Sequence, residues 1–409
     1  MGYMIKYTGI LILLFFVTAC SKKSTNDTDI LSKNETKSEL ISDKSNSFGF
    51  GLFKKLNTKK DDHRNVVISP LSTAMVLGMA YNGVEGETKQ KFSEVLGWED
   101  VSVIELNGYN NRLIDHLQQQ SKNIRMNISN SVWFDEQLNI KESFLKRNRE
   151  SFQTYTSSID TEDRSAANII NHWVAESTDG NISGVMDNIS SQDMLYILNA
   201  TYFKGNWKND FNESKTKKSQ FFLEDKSSTP VSMMWQKADL NYYDGEDFQF
   251  VELPYEDESY CMYILLPDSN KKVDETIENL SYSSWHFYKE KLSKKRNINF
   301  GMPRFHCEHA IKMKDLLGGM GLGKLFVRDK TDLSGITERK VAISEMMHKA
   351  AVDVDEKGTE ASAATSLAIS FTTLVEDNPF NLIVNRPFVF AIEEKKSNTL
   401  LFIGKVTNP

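Results

Sequence analysis

The chain is 409 residues long, with a formal net charge of -7 and 3 cysteines. Mild acidity without a basic stripe excludes a nucleic-acid binder. Two isolated cysteines besides Cys20, Cys261 in "YCMYILLP" and Cys307 in "RFHCEH", make neither a disulfide framework nor a zinc site, and two buried thiols are expected.

The first segment reads as an export signal. Met1 to Lys6 carry one positive charge, Ile10 to Val17 are almost wholly apolar, and Val17-Thr18-Ala19-Cys20 follows. The apolar run is too short to span a bilayer stably. The end of this segment resembles the lipobox of bacterial lipoproteins, which implies a signal over residues 1–19, lipidation of Cys20, and a protein held in the bacterial cell envelope at the outer membrane or cell surface. A plain signal cut near Ala19 and an uncut anchor are the alternatives. Residues 20–46, rich in Ser, Lys, Thr, Asn and Asp, read as a flexible tether. A folded domain is expected over residues 47–409, because apolar residues recur steadily from Phe48 to Val406. Roughly 360 residues are ample for a sizeable core.

Helical signals come early. "FGFGLFKKLN" puts Phe48, Leu52, Phe53 and Leu56 on one helical face, and "SPLSTAMVLGMAYNGV" opens with a Ser cap and a Pro at the first helical position. The second segment is apolar nearly all round, which predicts a buried helix. "AANIINHWVAEST" is a further amphipathic helix ending before Gly180. Strand runs dominate the rest: "IRMNISNSVWF", "MLYILNATYF", "FQFVELPY", "YCMYILLP", "KVAISEMMHKAAVDVDE" and "NPFNLIVNRPFVFAI". Helices early and strands late predict an α+β chain with large, mainly antiparallel sheets.

Two patterns mimic catalytic or ligand sites. Gly318, Gly323 and Lys324 of "GGMGLGKL" have phosphate-loop spacing, but Leu325 stands where Mg²⁺ needs a hydroxyl, and the preceding "AIKMKDLL" reads as helix. A helix end suits those glycines better. His306 and His309 flank Cys307 and Glu308, yet three positions along a strand they point to opposite faces, which is poor ligand geometry. With no G-x-S-x-G and no H-E-x-x-H, nothing points to an enzyme, a metal or a cofactor.

The stretch "DVDEKGTEASAATSLAISFTTLVEDNPF" fits neither a helix nor a linker. It belongs to an ordered series: "NVVISPLSTAMVLGMAYNGVEGET", "LNATYFKGNWKNDF", "TDLSGI", "MHKAAVDVDEKGTEASAA", "NRPFVFAI" and "LFIGKV". In this order and spacing the chain from about Phe48 to Pro409 resembles a serpin. The resemblance implies the serpin fold, with three β-sheets, about eight or nine helices and an exposed reactive centre loop that enters the central sheet once a protease cuts it.

The loop's residues suit that task. Thr359, Ala361, Ala363 and Thr365 share one strand face and are small or uncharged, as burial demands, while Glu360, Ser362, Ala364 and Ser366 take the other. Gly358 is placed at the hinge for its dihedral range. By resemblance Ser69, Ser72, Asn199 and His348 form the polar shutter beneath the sheet, Trp207 marks the breach where insertion begins, and Glu356 pairs with Arg304 nearby. Counting from Glu356 places the scissile bond at Thr372-Thr373, just after Phe371, whereas counting back from Asn385-Arg386-Pro387-Phe388 lands nearer Glu376.

The reading is a monomeric suicide-substrate inhibitor of an elastase-like or chymotrypsin-like serine protease, or of a cysteine protease. No Arg or Lys between Gly358 and Asn385 offers a trypsin-like pocket its cation. The alternatives are a non-inhibitory serpin acting as carrier or chaperone, and a ligand-binding surface lipoprotein.

Overall fold

The computed structural model describes residues 25–58, 64–119, 123–182, 184–359 and 380–409, with side chains from Thr36 onward. Its helices are α1 (Thr25–Leu56), α2 (Pro70–Tyr81), α3 (Gly86–Leu96), α4 (Val103–Leu117), α5 (Glu142–Phe152), α6 (Ala166–Ser177), α7 (Val273–Asn279), α8 (Tyr282–Lys291) and α9 (Met313–Leu317). The strands are β1 (Val66–Ile68), β2 (Ile124–Asp135), β3 (Tyr155–Ile159), β4 (Leu195–Asn206), β5 (Lys217–Phe222), β6 (Ser228–Asp244), β7 (Phe248–Pro254), β8 (Tyr260–Pro267), β9 (Ser293–Pro303), β10 (Phe305–Lys312), β11 (Glu345–Val354), β12 (Gly358–Thr359), β13 (Phe380–Ile383), β14 (Phe388–Glu394) and β15 (Thr399–Val406).

The central sheet has six strands in the order β10-β11-β12-β4-β2-β3. The expected remaining two sheets are joined into one nine-stranded system, because β6 serves both. It pairs with β5 from Ser228 to Met233, with β9 from Met233 to Tyr242 across a register shift between Ala238 and Leu240, and with β7 from Asn241 to Asp244. A bulge turns a strand and lets it leave one sheet for another.

Helix α2 is the buried spindle. Ser69 caps it, accepting from Ser72 N, Pro70 occupies its first turn, and all twelve of its residues are buried. It packs against β4, β11 and β15, so it lies under the central sheet where the two sheets meet. Cys261 and Cys307 are buried and unpaired. The glycines of "GGMGLGKL" follow α9, and Gly321 takes a φ of 98° in the turn. No strand leads into them, so the structure gives this segment a helix end rather than a phosphate loop.

The tether is shorter than its composition suggests. Helix α1 runs back to Thr25, so the folded domain starts before residue 47, and Ile41, Ser42 and Asn46 are buried. The reason is polar tertiary contact. Ser42 Oγ donates to Asn398 O at 2.7 Å, Asn46 Nδ2 donates to the same oxygen at 2.7 Å, and Asn46 Oδ1 accepts from Leu400 N at 3.0 Å. Helix residues with little apolar periodicity are thus held by hydrogen bonds to the turn between β14 and β15.

Candidate functional site: the gap between β4 and β11

The two central strands of the six-stranded sheet meet only over part of their length. Glu345 to Ala351 of β11 pair in parallel with Tyr196 to Tyr202 of β4. Above that stretch they part, and β12 lies between them, with Thr359 opposite both Val354 of β11 and Gly205 of β4. Gly358 and Thr359 occupy the mouth of this opening, and Val352 and Asp353 of β11 and Phe203 and Lys204 of β4 lie between them and the parallel ladder.

Thr359 is fully buried, and its hydroxyl meets Tyr255 OH at 2.7 Å. Gly358 is needed for a reason other than dihedral range. It is not among the positive-φ glycines, but a Cβ there would fall 1.9 Å from Gly205 O and 2.8 Å from Asn206 Cα. Only a residue without a side chain fits so close to β4. Asp355 makes the turn, its Oδ1 accepting from Lys357 N at 2.9 Å and Gly358 N at 3.2 Å.

Trp207 closes this end from below. Its indole N–H donates to Asp355 O at 3.0 Å, its backbone N–H to Lys357 O at 2.8 Å, and its ring stacks on Tyr255 at 4.6 Å between centroids. Glu356 is held bidentately by Arg304, Nε to Oε2 and Nη2 to Oε1, both 2.7 Å, and Thr216 Oγ1 donates to Oε1. Burial alone would raise the Glu356 carboxyl, but the hydrogen bonds from Arg304 and Thr216 outweigh it and leave it below the usual range.

Lower down, the four residues expected to cluster do meet, in two arms. His348 stands directly opposite Asn199 across the β11–β4 pairing. In one arm Ser69 N donates to His348 Nε2 at 2.9 Å, so the imidazole proton resides on Nδ1. Burial, aided by the nearby His309, pushes His348 down to about 3, so the ring is neutral. In the other arm Ser72 Oγ donates to Thr201 Oγ1 at 2.5 Å, Thr201 to Asn199 Oδ1 at 2.7 Å, and Asn199 Nδ2 to Asn130 Oδ1 at 2.7 Å. Asn130 Nδ2 then reaches Phe152 O at 2.7 Å. Thr201 and Asn130 were missed in the sequence, although a buried-strand Asn within "ISNSVWF" is a polar residue that needs a partner.

Of the remaining expected residues, Ala361, Ala363, Phe371, Thr372, Thr373 and Cys20 lie outside the described residues.

The sequence profile of the family described as Serpin (serine protease inhibitor) matches residues 43–409. A serpin-like protein of Thermococcus kodakarensis is 31% identical, covering 89% of this chain and 84% of its own. The leukocyte elastase inhibitor of Equus caballus is 31% identical over 91% of this chain and 100% of its own. Among solved structures, the thermophilic serpin tengpin in its native state matches with a TM-score of 0.82 at 29% identity, covering 90% of this chain and 94% of that one. Human thyroxine-binding globulin complexed with its hormone matches with a TM-score of 0.83 at 25% identity, covering 91% and 99%. With the family profile spanning nearly the whole described fold, and a sheet parted by a short strand at the head of the loop, this chain belongs to the serpin family.

Proposed function

We propose that the protein is a suicide-substrate inhibitor of endopeptidases, and the observation that carries this is β12. A strand has been started between β4 and β11, and its register can be continued. Each further residue of the loop falls opposite a fixed pair: Ala361 opposite Phe203 and Val352, Ala363 opposite Thr201 and Ala350, and Thr365 opposite Asn199 and His348. These small residues follow Thr359 onto the buried face, where each meets a β11 residue that is buried too.

The energetics favour insertion once the loop is cut. Parting β4 from β11 breaks one seven-pair ladder, and a strand between them forms two. Each net hydrogen bond contributes about 1 kcal/mol. In the uncut chain the loop is fixed at both ends, by β12 and by Phe380 of β13, and cannot fill the gap. The shutter supplies side-chain hydrogen bonds between neighbouring elements, which exchange as the strands separate.

The protease nucleophile attacks the carbonyl at the Thr372-Thr373 bond, the new amine leaves with its proton, and the loop inserts before water cleaves the acyl-enzyme. The uncharged side chains of Phe371, Thr372 and Leu374 suit an elastase-like or chymotrypsin-like pocket, or a cysteine protease of apolar preference, and cleavage is placed between Phe371 and Val375. The inhibitor acts as a monomer, tethered to a membrane through a lipidated Cys20 in the cell envelope, a reading supported by the apolar Ile10 to Val17 run and the small residues before Cys20. Thermal unfolding before and after loop cleavage tests the insertion step: a rise of tens of degrees is expected, and an unchanged midpoint would favour a carrier whose loop does not insert.

A further inference from the structure

Beyond the far end of the β4–β11 ladder, at the opposite pole from β12, lies a cavity of about 240 Å³, bounded by Gln192 to Met194 on one side and Val341 to Ser344 on the other. Three cations, Lys314, Arg328 and Arg339, line it with one carboxylate, Asp193. That carboxylate is already engaged, accepting from Tyr196 OH at 2.6 Å and Ser190 N at 3.0 Å. Arg328 uses Nε on Lys340 O, and Arg339 uses Nη1 on Gln137 O, which leaves each guanidinium further donors to offer. The cavity is thus a positively charged recess at the end of a track.

Continuing the β12 register shows what arrives there. Phe371 falls opposite Asp193 and Ala342, and Thr372 opposite Gln192 and Val341. From Thr359 to Thr372 an extended chain covers about 43 Å. The chain end and the recess therefore coincide in register, and a new chain end is an anion. Ser344 closes the site meanwhile: its N–H donates to Leu195 O at 2.9 Å, and its Oγ accepts from Met194 N at 2.8 Å and Leu195 N at 3.3 Å, so a side chain reinforces the backbone bond that holds the strands together at their base. An incoming backbone carbonyl can take over those two donors.

We propose that this recess binds the α-carboxylate of the cut loop, with Arg328 and Arg339 as its cationic partners and Lys314 at the rim. The proposal rests on the insertion mechanism above and adds a selectivity to it: the recess fits a loop ending at Phe371 or Thr372, and a loop ending at Glu376 would overshoot it by four residues. The carboxylate exists only in loop-cleaved protein freed of protease, because the trapped acyl-enzyme ends in an ester: water cleaves that acyl bond, its hydroxyl staying on the loop carbonyl and its proton going to the protease nucleophile, and the resulting acid ionises.

The test uses the full uncut chain and a synthetic peptide of residues 361–372, supplied once as the free acid and once as the C-terminal amide. Binding of the acid about fivefold tighter than the amide at low salt is expected, with the preference shrinking as salt rises. The preference should vanish in the Arg328→Gln, Arg339→Gln double variant. Equal binding of acid and amide to the wild type overturns the recess as a carboxylate site and leaves insertion standing, and this comparison needs no variant to fold. A preference that survives in the double variant also overturns the assignment. Failure of both peptides to bind, with no thermal gain on loop cleavage, overturns insertion itself and the recess with it.

Discussion

Thr359→Arg isolates the first step of insertion. Thr359 is fully buried and bonded to Tyr255 OH in the resting protein, so the substitution acts on two states. In the resting state the arginine expels β12. The loss is one hydrogen bond and a Tyr255 hydroxyl without its partner, about 1–3 kcal/mol. In the inserted state the guanidinium must enter the sheet beside Gly205 and Val354, where no acidic partner pairs with it in register. An unpaired buried charge costs about 3–5 kcal/mol. If about 3 kcal/mol of that is felt in the barrier to insertion, the step slows by roughly 150-fold. Deacylation, unaffected, then wins. Mixed with an elastase-like protease and run on denaturing gels, the variant should be cleaved while the covalent complex disappears, and Thr359→Val should still trap. Trapping by Thr359→Arg at wild-type stoichiometry would show that burial of residue 359 does not control insertion.

His348→Gln should remove a pH-dependent contribution to stability. The imidazole is held down to about 3 in the fold against an ordinary value of about 6.5. Between those values the unfolded chain binds a proton that the folded chain does not, so this contribution is complete above pH 6.5 and is lost as pH falls toward 3. Denaturant midpoints of wild type and variant should converge over that window, and a constant offset would contradict a neutral buried ring. Gly358→Ala should eject β12, because its methyl would meet the backbone of Gly205 and Asn206. Loss of amide exchange protection at Gly205, which Thr359 of β12 pairs, with a shift from trapping to cleavage, is the expected result. Cys20→Ala should move the protein from the membrane fraction to the soluble one and leave inhibition in solution unchanged.

Much of this architecture was legible because its signals are local. Ser69 and Pro70 announce the start of α2, uninterrupted apolar residues announce its burial, alternation announces β2 and β7, and an unbroken apolar run announces β8. The cluster of Ser69, Ser72, Asn199 and His348 could be named because each member sits in a motif of the ordered series. What escaped depends on contacts far apart in the chain. Ser42 and Asn46 look like tether residues and become buried only through Asn398 and Leu400, more than 350 positions later. Gly358 was assigned to the hinge for its dihedral freedom, whereas the constraint is the backbone of β4 beside it. That β12 is already seated in the resting sheet follows from where β4 and β11 stop pairing, which no pattern within the loop encodes. The strand expected from Lys340 onward likewise begins only at Glu345, with Ser344 bonded to the neighbouring chain through both its N–H, to Leu195 O, and its side chain.

Mass spectrometry of the products shows whether a cut at the loop is converted into a trapped protease. Equimolar protein and an elastase-like or chymotrypsin-like protease should give a 1:1 covalent adduct and a released C-terminal fragment beginning at Thr372, Thr373, Leu374 or Val375. Complete cleavage without any adduct, or rapid stoichiometric trapping of trypsin with a fragment starting outside that window, would contradict it.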